Sequence, residues 1–193
     1  MGRSEISCRI LQSAREEFKA KGYDNASMRE IAQRVGYTTG VLYSRYKDKE
    51  ELFSAVVKFG EMAMEDKIAE RAQLDILQER DFSATLCSGR NDVVKRLLSI
   101  IDVVYTYKDT FELLIRCTKG SSKQNYIEDF ADKERVLKAY ILDRLSTHSA
   151  VSDNILSSLS HNLAVAIHCT LFNSVLDLPK ADVVKFIESS LAD

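Results

Sequence analysis

The chain has one proline in 193 residues and no tryptophan. Proline breaks helices by removing an amide donor and clashing with the preceding turn, so its scarcity favours an all-α fold. Histidine is nearly as rare: His148, His161 and His168 are the three present, which leaves little acid–base chemistry at neutral pH. His161 and His168 fall on one helix face without a neighbouring carboxylate, and no metal site is assigned. The four cysteines, Cys8, Cys87, Cys117 and Cys169, form no Cys-x-x-Cys pair, so neither a disulfide framework nor a zinc site is expected. A glycine-rich phosphate loop, His-Glu-x-x-His and Gly-x-Ser-x-Gly are all missing. No catalytic residue and no cofactor are assigned, and an enzyme is the disfavoured class. The opening residues lack a basic, apolar, small-residue leader, and a cytoplasmic protein is expected. Residues 154–176 carry no Asp, Glu, Lys or Arg, yet asparagines, histidines and serines interrupt them. That suits a helix buried on two sides better than a membrane span.

What is present is a globular balance of 45% hydrophobic and 29% charged residues. The net charge of −2 hides an uneven distribution. Residues 1–50 hold 10 Lys/Arg against 7 Asp/Glu, net +3, and residues 51–193 hold 17 against 22, net −5. A mildly basic head on an acidic body suits contact with phosphate at one end only.

Apolar spacing predicts about nine helices. Ile6, Ile10, Ala14 and Phe18 line the first, which Gly22 stops. Ser27 with Glu30 reads as a capping box opening a short second helix, which Gly36 breaks. Thr38 can cap a very short third helix carrying Val41, Leu42 and Tyr43, and Asp48 with Glu51 opens a long fourth. Residues 81–91 read as a loop, with Asn91 capping the helix that follows. Asp109 and Glu112 can start a short helix toward Cys117, and residues 119–125 read as a mobile loop. Ile127, Phe130, Leu137, Ile141 and Leu145 face inward on a charged amphipathic helix, and Pro179 begins the last helix.

Residues 28–47 carry the functional signal. A helix-turn-helix needs a small residue where two short helices touch, a glycine in the turn, and apolar anchors under the second helix. Ala32, Gly36 and the set Ile31, Val35 and Leu42 supply these, which frees the opposite side of the second helix for a major groove. Ser27 caps its helix and can meet phosphate at the helix N-terminus, with Met28 and Arg29 beside it. Thr38 and Thr39 can reach phosphate or a thymine methyl; Thr39, Val41 and Ser44 are the candidate base readers, with Arg45 reading bases or clamping the backbone. Tyr43 offers a hydroxyl to phosphate and Lys49 a point charge, whereas Arg29 and Lys47 are equally consistent with solvated surface.

The stretch ILQSAREEFKAKGYDNASMREIAQRVGYTTGVLYSRYKDKEELF, residues 10–53, resembles the DNA-binding domain of the TetR (tetracycline-repressor-like) family. The resemblance rests on Gly22-Tyr23, Ser27-Met28, Ile31-Ala32, the Gly36 turn, Gly40-x-Leu42-Tyr43, and Tyr46, Lys49 and Glu50. It departs at Thr39, where lysine is common, and at Arg45, where histidine or tyrosine is common; both bear on the operator sequence rather than on docking. It implies a helix-turn-helix domain over 1–50 and a helical ligand-sensing and dimerisation domain over 51–193. The implied partners are a double-stranded DNA operator, a second copy of the chain and an unidentified small-molecule effector, with no membrane.

A short recognition helix alone contacts few bases, and two-fold dimers solve this by reading two half-sites. The uncharged stretch and the last helix are the expected dimer surface, through Leu156, Ala164, Leu171, Val175, Val184 and Ile187. The same faces also suit the central helix of a monomeric domain. The resemblance further implies a pocket, for which Tyr105, Arg116, Cys117, Tyr140, His168 and Asn173 are the candidates, each with a plain packing role as the alternative. A body that docks a protein partner instead of a small molecule is the second reading.

Overall fold

The computed structural model describes residues 3–77, 90–130, 132 and 176–190. Those residues are all-helical, with no strand among them. In order they form α1 (Arg3–Asn25), α2 (Met28–Arg34), α3 (Thr39–Tyr43), α4 (Lys49–Leu77), α5 (Arg90–Thr106), α6 (Lys108–Arg116) and α7 (Lys180–Ser190). Residues 126–130 are also helical. No helix among the described residues is long and apolar enough to cross a membrane, and no group of metal-ligating side chains gathers there.

The chain divides into two compact units. The first gathers residues 1–61 with 107–126, and the second 62–106 with 127–193. In the first unit α1 buries Ile10, Ala14 and Phe18 completely, as the helical spacing predicts. Gly22 ends that regular run at φ 73°, a left-handed value that L side chains rarely adopt, and residues 23–25 turn away after it. α4 supplies Leu52, Phe53, Val56, Val57 and, in its second-unit portion, Met64 as buried residues, while Phe59 and Met62 on other faces are exposed. Phe18, Tyr23 and Phe53 form an aromatic cluster, with Phe18 edge-on to Phe53 at 4.9 Å and Tyr23 to Phe53 at 5.3 Å. Edge-to-face pairs of this kind add about 0.5–1.5 kcal/mol beyond area burial.

The surprise of the first unit is α6, which packs on α1 although some ninety residues separate them. Phe111, Leu113 and Leu114 are its buried side. Asp109 and Glu112 do not cap the helix: both pair with Lys19 of α1, at 2.9 and 2.7 Å, and the residue before the helix makes no side-chain cap bond. The hydrogen bonds that Lys19 gives to Glu112 and then to Asp109 raise its pKa above the ordinary value. The loop after α6 makes turn bonds of its own, Ser121 N–H to Thr118 O at 2.9 Å and Tyr126 N–H to Lys123 O at 3.0 Å.

In the second unit α7 packs on α5 through Val183, with Ile101 and Val104 among the buried residues. Arg90 already begins α5, so Asn91 lies inside the helix and not at its cap. Pro179 sits just before α7 and its carbonyl accepts from the amides of Asp182 and Val183.

Candidate nucleic-acid interface

The α2–turn–α3 segment is built as its sequence demands. Ile31, Ala32, Val35 and Leu42 are all buried, and Ala32 leaves room where larger side chains would hold the helices apart. Gly36 sits at φ 76° in a Schellman ending: Tyr37 N–H reaches Ala32 O at 2.9 Å and Gly36 N–H reaches Gln33 O at 3.0 Å. That closure turns the chain sharply enough to start α3 three residues later.

α3 is a single turn and a half pinned by Leu42, which has no exposed surface. Thr39 and Tyr43 share one side by their spacing of four, and Gly40 and Ser44 the next. Thr38, Tyr43 and Ser44 are exposed, Tyr43 at 53%, whereas Thr39, Val41 and Arg45 are half-buried. A large aromatic held this far out on a short anchored helix presents its hydroxyl to whatever docks there. Thr38 occupies the N-cap position in extended conformation and is exposed, but its side chain makes no capping bond, so the expected cap is absent. Arg45 reaches Ser7 Oγ on α1 at 3.0 Å.

Ser27 does cap α2, accepting from Glu30 N–H at 3.5 Å. The reciprocal half of the predicted box is not made. Ser27 N–H points to Glu17 Oε1 at 3.4 Å, and the Glu30 carboxylate pairs with Lys21. Met28 is buried, so only its backbone amide is left to offer a phosphate, and Arg29 is exposed beside it.

Glu17 is the residue that pattern reading passed over. It sits in the buried arc of α1, three residues after Ala14, and its side chain has no exposed surface. Arg34 of α2 meets it at 2.8 Å and Lys21 at 2.9 Å. Burial alone pushes a carboxyl pKa up, but the bonds from Lys21, Arg34 and the Ser27 amide outweigh it, so Glu17 stays ionised below the usual range. Arg34 also gives a bond to Ser13 O at 3.1 Å, and Ser13 Oγ bonds Ile31 O at 3.2 Å. α1 therefore holds α2 through a polar network as well as through its apolar side. An acid among Ile10, Ala14 and Phe18 was the available signal.

Lys49, at the start of α4, directs its ammonium at three backbone carbonyls: Tyr23 at 2.7 Å, Asp24 at 3.0 Å and Ala26 at 3.4 Å. It also lies 4.5 Å over the Tyr23 ring. The neighbouring Glu50 bonds the Tyr23 hydroxyl and accepts from Ser122, while Tyr23 N–H reaches Cys117 O at 2.8 Å. Burial and then the Glu50 carboxylate hold the Tyr23 phenol well above its ordinary pKa, so it remains a donor.

Of the pocket candidates, Tyr105 belongs to the second unit and gives its hydroxyl to Leu178 O at 2.9 Å. Arg116 and Cys117 belong to the first, Arg116 exposed and Cys117 half-buried with its thiol pKa raised by that burial. Tyr140, His168, Asn173, Leu156, Ala164, Leu171 and Val175 lie outside the described residues, as does the side chain of Ile187. Val184 is half-buried on α7, and nearby Leu178 and Phe186, which pattern reading did not single out, are exposed at 46% and 65%.

Residues 10–56 match the family profile described as bacterial regulatory proteins, tetR family. Over 177 residues the chain is 26% identical to the HTH-type transcriptional repressor AcnR of Corynebacterium diphtheriae, covering 90% of this chain and 80% of that one. A 49-residue stretch is 37% identical to the HTH-type transcriptional repressor Rv1474c of Mycobacterium tuberculosis, covering 25% of this chain and 26% of that one. Among solved structures, NalD of Pseudomonas aeruginosa has a TM-score of 0.58 at 16% identity, covering 98% of this chain and 96% of that chain. A TetR-like transcriptional regulator from Rhodococcus sp. RHA1 has 0.57 at 18%, covering 97% and 95%. At such identities the structural likeness speaks for the fold.

Proposed function

We propose that this chain, a TetR-family transcriptional regulator by its residues 10–56, is a ligand-responsive repressor that binds a palindromic operator as a homodimer. The observation that carries the reading is α3: a short helix anchored by fully buried Leu42, with Thr38, Tyr43 and Ser44 outward. In this reading residues 1–50 are the DNA-binding domain and 51–193 sense and dimerise. Thr39, Val41 and Ser44 read base edges; Thr38, Tyr43, Arg45, Arg29, the Ser27 hydroxyl and the Met28 amide meet the backbone. The chain works in the cytoplasm and carries out no catalysis. Repression is favoured by the likeness to AcnR, a transcriptional repressor, which extends over most of both chains.

Pairing through the last helices, with Leu156, Ala164, Leu171, Val175, Val184 and Ile187 at the seam, is supported by exposed Phe186, an apolar side chain on α7. Tyr105, Arg116, Cys117, Tyr140, His168 and Asn173 remain the candidates for holding a small molecule. Such a molecule releases DNA only if it binds the DNA-competent and DNA-incompetent conformations with different affinity.

Selecting bound DNA from a random pool tests the reading. The expected product is an inverted repeat with half-sites about one helical turn apart. Recovery of no common sequence, or of a single undivided site, would refute the dimeric operator.

Within that complex Tyr43→Phe is expected to weaken binding about two- to twelvefold, since a net hydrogen bond contributes about 0.5–1.5 kcal/mol. The loss should be equal on operator and mismatched DNA, as a phosphate contact carries no sequence information. A loss confined to the operator would move Tyr43 to base reading.

A further inference from the structure

We infer that Lys49 is a positioning residue for DNA binding, its ammonium gripping the turn that presents α2 instead of a DNA phosphate. The inference rests on the DNA-binding reading above and specifies how one cation of that site acts.

An ammonium has three N–H donors and no acceptor. Tyr23 O, Asp24 O and Ala26 O, at 2.7, 3.0 and 3.4 Å, engage all three. The face of Tyr23 at 4.5 Å adds a cation–π contact, and Tyr23 is itself fixed between Phe18 and Phe53. The acceptors belong to the turn at residues 23–26 that follows the break at Gly22, and Tyr23 O also accepts from the Ala26 amide at 3.3 Å. To reach a phosphate, Lys49 would have to abandon this whole set.

The gripped turn ends at Ala26, which is buried, and the next residue is Ser27, the N-cap of α2. One side chain thus ties the first residue of α4 to the residue ahead of the α2 N-terminus. The position of that N-terminus decides whether the Ser27 hydroxyl and the α2 amides lie at phosphate distance. A cation that fixes this geometry strengthens binding without releasing a counterion of its own.

Two variants separate the roles. Lys49→Met keeps the stem and removes the ammonium; Lys49→Arg keeps the charge in a planar fork that cannot aim three donors at convergent carbonyls. Affinity for the selected operator is measured against salt, at temperatures where thermal unfolding shows each variant folded. Positioning predicts about a tenfold loss in both variants with the salt slope unchanged. Phosphate contact predicts the reverse, a slope about 0.9 shallower for each lost contact in Lys49→Met and retention in Lys49→Arg. A shallower slope, undiminished affinity in Lys49→Met, or full function in Lys49→Arg would overturn the inference.

The wild-type protein supplies a readout independent of folding in the variants. The Lys49 ammonium nitrogen resonance should show slowed proton exchange without DNA and keep its shift when operator is added. A fast-exchanging signal, or one that moves on DNA addition, would also overturn it. If wild-type protein binds no DNA, the DNA-binding reading fails while the ammonium signal still reports the grip.

Discussion

Glu17→Ala is expected to cost about 2–3 kcal/mol of stability, a fall of roughly 5–10 °C in melting temperature for a chain of this length. Removing one member of a buried ion pair typically costs about 3–5 kcal/mol because the other charge is stranded. Here the stranded partners, Arg34 and Lys21, have side chains 41% and 37% exposed, so water recovers part of the loss. The Ser27 amide would lose its acceptor as well. Glu16, 56% exposed and 3.9 Å from the same guanidinium, is the control, and Glu16→Ala should change stability by less than about 0.5 kcal/mol. Urea denaturation of the three proteins checks this. Equal stability of Glu17→Ala and wild type would mean that the network contributes nothing net.

The same residue sets a pH dependence whose sign is fixed. Its folded pKa is lowered, so ionised Glu17 stabilises the fold above the unfolded carboxylate value of about 4.3. That contribution is lost as pH falls through the lower folded value. The stability difference between wild type and Glu17→Ala should therefore shrink toward acid pH and be constant above about pH 5.

Gly60→Ala should destabilise the protein even though alanine is the better helix former by about 1 kcal/mol. A Cβ at Gly60 would lie 2.6 Å from Thr110 Cγ2, 2.9 Å from Thr110 Cβ and 3.3 Å from Tyr107 Cβ. Thr110 is β-branched and buried, so it has no free rotamer into which to retreat. α4 and the start of α6 must separate, and overpacking of this kind costs about 1–3 kcal/mol. The net expectation is a loss of about 1–2 kcal/mol after the helix-propensity gain. Combining it with Thr110→Ala should recover part of the loss, a non-additivity diagnostic of contact. Thermal unfolding reads both, and a more stable Gly60→Ala protein would refute the close approach.

Much of the head was legible because its signals are local. Gly36 announces a left-handed ending, the buried set Ile31, Ala32, Val35 and Leu42 announces where α2 and α3 touch, and what remains on α3 must face outward. Capping was less legible. Thr38 and the Ser27–Glu30 pair have the right spacing, yet Thr38 leaves the backbone alone and Glu30 answers Lys21. Local spacing names a possible bond, and competing partners from elsewhere in the chain settle which one forms.

By itself, then, the sequence determined an all-helical chain whose residues 28–45 form an anchored helix pair, since periodicity, a turn glycine and a small contact residue act within a few residues of one another. Tertiary structure decided what acts at long range. It brought α6 and the loop after it into the unit of α1, placed Arg34 and the Ser27 amide on Glu17, and turned Lys49 onto carbonyls more than twenty residues earlier. A charge seeks the strongest partners available after folding, and no spacing rule records which distant carbonyl or carboxylate will arrive.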